Sequence, residues 1–121
     1  MDIMDGVLTF DYGAIVDNRV FYKYIWNAFF QLTFTKGYRY VIIDFSNVRI
    51  IKSEVLPKLC SLGILSKQHG IQIELNLNPT SDVKNFLGEI GFFDIVRQKD
   101  IFIRKKMLEQ TAFSTKQPLN L

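Results

Sequence analysis

Tyr38-Arg39-Tyr40-Val41-Ile42-Ile43-Asp44-Phe45 is the stretch that decides the fold. Its Val-Ile-Ile centre is continuously apolar and β-branched. That composition predicts a strand covered on both faces, as in the middle of a parallel sheet. Ser46-Asn47 breaks it, since both residues favour turns. Upstream, Gly37 closes a helix predicted over Val20–Phe34, with Asp17 or Asn18 as its cap, because either side chain can accept a bond from an orphan amide. Val7–Tyr12, between Gly6 and Gly13, is a short β-prone run.

Downstream, Val48–Ile51 is a second short apolar stretch. Val55, Leu56, Leu59, Cys60 and Ile64 then recur at helical spacing from Ser53 to His69, with Pro57 in the first turn and Gly70 as a left-handed stop. Ile71–Leu77 alternates, predicting a strand with one apolar and one polar face. Residues 78–82 read as a turn and cap. Val83, Phe86, Leu87 and Ile90 read as a short helix ended by Gly91. Phe92–Val96 and Ile101–Ile103 read as short β-prone pieces. Strands alternating with helices predict a single α/β domain: a mostly parallel sheet of four to five strands with helices packed against it. The domain is expected over residues 1–106, with 107–121 as a C-terminal tail or linker.

The 121 residues suit one domain and leave no room for a two-domain enzyme with an interdomain cleft. Hydrophobic residues make up 48% and charged residues 22%, which excludes wholesale disorder. The single cysteine, Cys60, cannot form an internal disulfide, so a reducing, cytoplasmic setting is expected. Met1-Asp2-Ile3-Met4-Asp5 is acidic and lacks the basic start of a leader peptide. No apolar run reaches the roughly 20 residues that span a bilayer, so membrane insertion is not expected.

The net charge of +3 comes largely from Arg97, Lys99, Arg104, Lys105, Lys106 and Lys116. That run reads as the solvated end of a strand or helix, and a nucleic-acid partner is not expected. One His and one Cys leave no pair at metal-ligand spacing, and the seven scattered glycines form no phosphate loop. No metal, no cofactor and no catalytic residue is therefore expected. His69 reads as a helix-end residue and Cys60 as a buried, inert thiol. Asp11, Asp44 and Asp94 fall where turns alone would put them.

The segment Val41–Ile95 carries a family resemblance. Asp44-Phe45-Ser46-Asn47-Val48 ends a strand, Ile50-Ile51 is an apolar pair, and Lys52-Ser53 opens a helix that ends in Lys67-Gln68-His69-Gly70. The strand Ile71–Leu77, the turn at residues 78–83, Phe86-Leu87 and Ile90-Gly91-Phe92-Phe93-Asp94-Ile95 follow. This order and spacing resemble the STAS domain, the module shared by sulfate transporters and anti-sigma-factor antagonists. About half the chain carries the likeness; Val7–Phe34 joins it by order of elements only. Lys52 stands where the family usually has Asp, and Glu54-Val55 replaces the usual small residue and Gly.

The resemblance implies a non-catalytic regulatory module that binds a protein partner, either a histidine-kinase-type ATPase, an anti-sigma-factor-like protein or a neighbouring domain. It also implies an alternative, an accessory subunit of a transporter ATPase for lipid or small-ligand transport. Antagonist members are phosphorylated on the Ser at this helix start, and Ser53 occupies that position. A phosphate there would meet helix-terminal amides. The other reading of Ser53 is a plain N-cap.

Aromatic residues make up 14% of the chain. In Val20–Phe34, Phe21, Tyr24, Ile25, Ala28, Phe29 and Leu32 form one apolar stripe. Tyr22, Trp26, Phe30 and Phe34 form a second. A helix apolar on two sides needs cover on both. The second stripe is either a contact surface, for a partner or a homodimer, or it is covered by one end of the chain. The expected partner surface therefore comprises Lys52, Ser53, Glu54 and Leu56 at one helix start, with Tyr22, Trp26 and Phe30.

Overall fold

The computed structural model describes residues 1–78 and 81–104. The expected tail at 107–121, together with Lys105 and Lys106, lies outside them. The chain is α/β, and its described residues form a five-stranded mixed sheet and a separate two-stranded one. The main sheet runs β1 (Asp2–Met4), β2 (Val7–Thr9), β4 (Tyr40–Asp44), β6 (Gln72–Asn76), β7 (Ile103–Arg104) in space. All its pairings are parallel except the β1–β2 hairpin. That hairpin turns through Asp5 and Gly6, both at positive φ. Gly6 also has Tyr38 against it, where a Cβ would lie 2.8 Å from the ring. β3 (Ala14–Val16) and β5 (Val48–Ile51) form the second, parallel pair.

Among the described residues, four helices fill the crossovers. Residues 18–35 form α1, residues 56–68 form α2 behind a 3₁₀ turn at Ser53–Val55, Asp82–Glu89 is α3 and Phe92–Lys99 is α4. The crossovers β2→β4→β6→β7 all advance in one direction, so right-handed connections put every helix on the same face. Burial agrees. Ile43, Ile73 and Leu75 are buried with Phe21, Phe29, Leu59, Leu62 and Val96, while Leu8 and Val41 are buried with Ala28 and Leu32.

Among the described residues the central strand is covered by helices on one face: Val41 and Ile43 are buried there, and Ile42 points to the other face and is half-buried. β6 departs from expectation in the other sense. Its outward residue Glu74 is 7% exposed, held by a hydrogen bond from the Tyr40 hydroxyl, so that face is not uniformly solvated.

Phe92–Val96 is helix, not strand. Gly91 at φ 80° starts a new helix there, Phe92 and Val96 fall one turn apart on its buried side, and Arg97 pairs with Asp94. The parallel β6–β7 step needs such a crossover, and that requirement outweighs the local β preference of Phe, Ile and Val. Asp2–Met4 and Ala14–Val16 are strands that the sequence pattern did not suggest.

Helix α1 alternates winding. Asn18–Val20 and Asn27–Phe30 are α, whereas Phe21–Trp26 and Gln31–Thr35 are wider π turns. Lys36 N donates to Gln31 O five residues back. Four residues overshoot an α turn and fall short of a π turn. Alternating the two keeps Tyr22, Trp26, Phe30 and Phe34 in one row, with ring centroids 4.8 Å apart for Trp26–Phe30 and 5.1 Å for Phe30–Phe34.

Candidate functional site

β3 and β5 lie side by side and each runs straight into a helical start, so the two starts are neighbours. Lys52 N donates to Val16 O at 2.8 Å, closing the pair. One strand then feeds Asp17-Asn18, the other Lys52-Ser53. Asp17 caps α1 by accepting from Val20 N at 2.9 Å. Glu54 Oε2 accepts from Asn18 N at 3.1 Å, reaching across from the other start. The Lys58 ammonium bonds Glu54 O at 3.4 Å and sits 5.8 Å from the Tyr22 ring centroid.

Ser53 is not the N-cap. Lys52 holds the cap position, with extended backbone (φ −68°, ψ 140°) and no side-chain capping bond. Ser53 is the first residue of the 3₁₀ turn, and its carbonyl accepts from Leu56 N. A Ser one position inside the turn cannot reach forward to the N2 or N3 amide as a cap does. Lys52, Ser53 and Glu54 are all exposed. Leu56 is buried in the core at 8% exposure.

Beside Ser53 opens an apolar groove of about 370 Å³, walled by Ile50 and Ile51 of β5 and by Val83 and Phe86 of α3. Lys52, Ser53 and Asp82 stand among its lining residues. Next to it, a polar recess of about 220 Å³ is lined by Tyr12, Ser46, Asn47, Asn78 and Ser81, and shares Arg49 and Asp82 with the groove. The recess lies beyond the carboxyl ends of β2, β4 and β6, where open α/β sheets receive ligands, and the groove adjoins it through Arg49 and Asp82. Asp44 holds this edge together: its Oδ1 accepts from Ser46 N at 2.9 Å and Asn76 Nδ2 at 3.1 Å. Asp44 therefore does the work of a turn former, as expected. The groove was not foreseen, because Ile50 and Phe86 come from distant segments; the adjacent apolar pair and the Ser81 cap were its only sequence signals.

The second aromatic stripe of α1 forms a seam rather than a free face. Trp26 and Phe30 are half-buried and pack on the main core. Tyr22 at one end meets Lys58 of α2, and Phe34 at the other meets the His69 ring, centroids 5.3 Å apart. The middle of the stripe is thus covered by the core, while Tyr22 and Phe34 at its ends stay exposed. His69 caps the end of α2, and its carbonyl accepts from Arg39 Nη1. Cys60 is half-buried and burial pushes its thiol upward, which disfavours the reactive thiolate. Among the described residues, no group of three His, Cys, Asp or Glu side chains could hold a metal ion, and no helix is long and apolar enough to cross a membrane.

A scan against family models found no match to the chain, and searches of curated proteins and of solved structures found none either.

Proposed function

We propose that the chain is a non-catalytic, STAS-like regulatory module of the cytoplasm that binds a protein partner of the histidine-kinase-type ATPase or anti-sigma-factor class. The observation that carries this reading is the exposed Lys52-Ser53-Glu54 start standing on the rim of the apolar groove of Ile50, Ile51, Val83 and Phe86. The order of strands and helices supports the likeness, and the shallow groove suits a partner's apolar side chains more than a small substrate. Tyr22 extends the same surface through Lys58 and Glu54.

Ser53 is the switch. A phosphate there adds a charge of about −1.5 to −2 beside the Glu54 and Asp82 carboxylates and the apolar groove wall. Such a charge at an apolar docking rim weakens association by desolvation and by like-charge repulsion. The test is mass spectrometry of the chain after incubation with its copurified ATPase-type partner and ATP. Phosphate on Ser53, lost from Ser53→Ala, is expected; an unmodified Ser53 beside a turning-over partner contradicts the switch.

A further inference from the structure

The face of the sheet turned away from the helices carries a second surface, one that no described element covers. Strand register places Met4, Val7, Ile42, Glu74 and Ile103 in one row across all five strands of the main sheet. Strands stand about 4.8 Å apart, so the row extends about 19 Å. Met4 is 67% exposed and Val7, Ile42 and Ile103 are half-buried. None of the four packs on either core cluster. A run such as Val41-Ile42-Ile43 belongs to strands buried on both sides, and among the described residues Ile42 joins neither core cluster and is paired with Val7 and Glu74 in the sheet.

The charge on this face has one sign. Asp2 and Asp44 occupy the adjacent row, in register with Thr9 and Asn76. Glu74 stands in the middle of the apolar row. The Tyr40 hydroxyl that bonds it is neutral, so the carboxylate has no cation against it among the described residues. No described strand position facing this way is Lys or Arg. An apolar strip with an acidic border, and with the buried Glu74 carboxylate adding negative field beneath it, complements a cationic amphipathic segment and repels anionic lipid and nucleic acid.

We propose that this sheet face docks an amphipathic helix of another protein, its apolar side laid on Met4, Val7, Ile42 and Ile103 and its lysine or arginine side chains meeting the bordering carboxylates of Asp2 and Asp44. The surface lies on the opposite side of the sheet from the helices. It is independent of the Ser53 groove and of the reading built on it.

The test titrates the full ¹⁵N-labelled chain with a designed leucine–lysine helix of about 18 residues, and with the same helix carrying glutamate for lysine. The expected result is saturable binding of the lysine helix, shifts centred on Val7, Ile42 and Glu74, and little binding of the glutamate helix. Ile42→Lys should weaken binding at least about tenfold. Met4→Lys, at an exposed edge position that folding tolerates, should weaken it about threefold or more. Equal binding of both helices, shifts centred on α2 or the Ser53 groove, or affinities unchanged in both variants would overturn the proposal. So would a homodimer dissolved by Met4→Lys, which would give the face to a second copy. Resonances of residues 105–121 contacting the face and undisplaced by the helix would give it to the chain itself.

Discussion

Glu54 Oε2 accepts a hydrogen bond from the backbone amide of Asn18 at 3.1 Å, joining two helical starts that are 36 residues apart in sequence. Asp17 satisfies the Val20 amide of the same first turn. The two carboxylates therefore share the work of capping α1, one from its own chain segment and one from the proposed partner surface. Each also places negative charge at the positive end of the α1 dipole.

Removing either cap should cost stability without unfolding the chain. Asp17→Ala is expected to lose about 1 kcal/mol, and Glu54→Ala somewhat less, about 0.5 kcal/mol, since its bond is exposed to solvent. Urea denaturation reads both. A Glu54→Ala chain as stable as the parent would mean that the bridge between the two starts contributes nothing.

Gly63 sets two effects against each other. In the middle of α2, alanine would gain about 1 kcal/mol in helix propensity over glycine. A Cβ there, however, would stand 2.9 Å from Phe102 Cζ and 3.1 Å from Ile101 Cβ. Phe102 can swing aside, but Ile101 Cβ is fixed to the backbone. Overpacking of about 1–3 kcal/mol should win, so Gly63→Ala lowers the melting temperature. A rise instead would show that the segment leading into β7 does not press on α2.

Tyr40 should titrate late. Burial, then the Glu74 hydrogen bond and the Glu74 charge, push its hydroxyl up to about 12. The neutral phenol is thus favoured by folding. Its contribution to stability is whole below the unfolded value of about 10 and is lost as pH rises from there through 12. Ultraviolet titration of the chain against Tyr40→Phe should isolate a component centred near 12. Glu74→Gln should move that midpoint down only in part, because desolvation is the first cause. A Tyr40 midpoint at the ordinary tyrosine value would break the pairing of the two side chains.

The aromatic seam predicts a graded response. Trp26→Ala removes a ring packed on the core and should cost about 3 kcal/mol, whereas Tyr22→Ala, at an exposed end, should cost under about 1 kcal/mol. Thermal unfolding separates them. Equal losses would mean that the middle of the stripe is no more buried than its end.

The α/β class was legible because Val41-Ile42-Ile43 and Ile71–Leu77 are strongly patterned and Gly37, Gly70 and Gly91 punctuate them, each at positive φ. The segments missed or misassigned were short. Asp2–Met4 and Ala14–Val16 are three-residue strands whose pairing with β2 and β5 is wholly tertiary. Phe92–Val96 is too short for helical and strand spacing to differ, and only the need to cross from β6 to β7 decides it. The Ser53 rim was visible as a helix start, but the cap proved to be Lys52, because the added 3₁₀ turn moves the boundary by one residue. The wall of the groove was invisible, since β5 and α3 meet only in three dimensions. The π turns of α1 have no sequence signature, yet they hold Trp26, Phe30 and Phe34 in one row of ring contacts.

In the proposed reading, partner binding runs through the exposed start at Lys52–Glu54 and is released by charge on Ser53. The most direct measurement is paired affinity capture with the full chain as bait, in parent, Ser53→Ala, Ser53→Asp and Lys52→Glu forms, quantified by mass spectrometry. Each substitution lies at an exposed position, so the fold should stand. An ATPase- or kinase-type protein enriched by the parent and by Ser53→Ala, and reduced at least about tenfold by Ser53→Asp and by Lys52→Glu, is the predicted result. The same proteins captured in the same amounts by all four forms would contradict it.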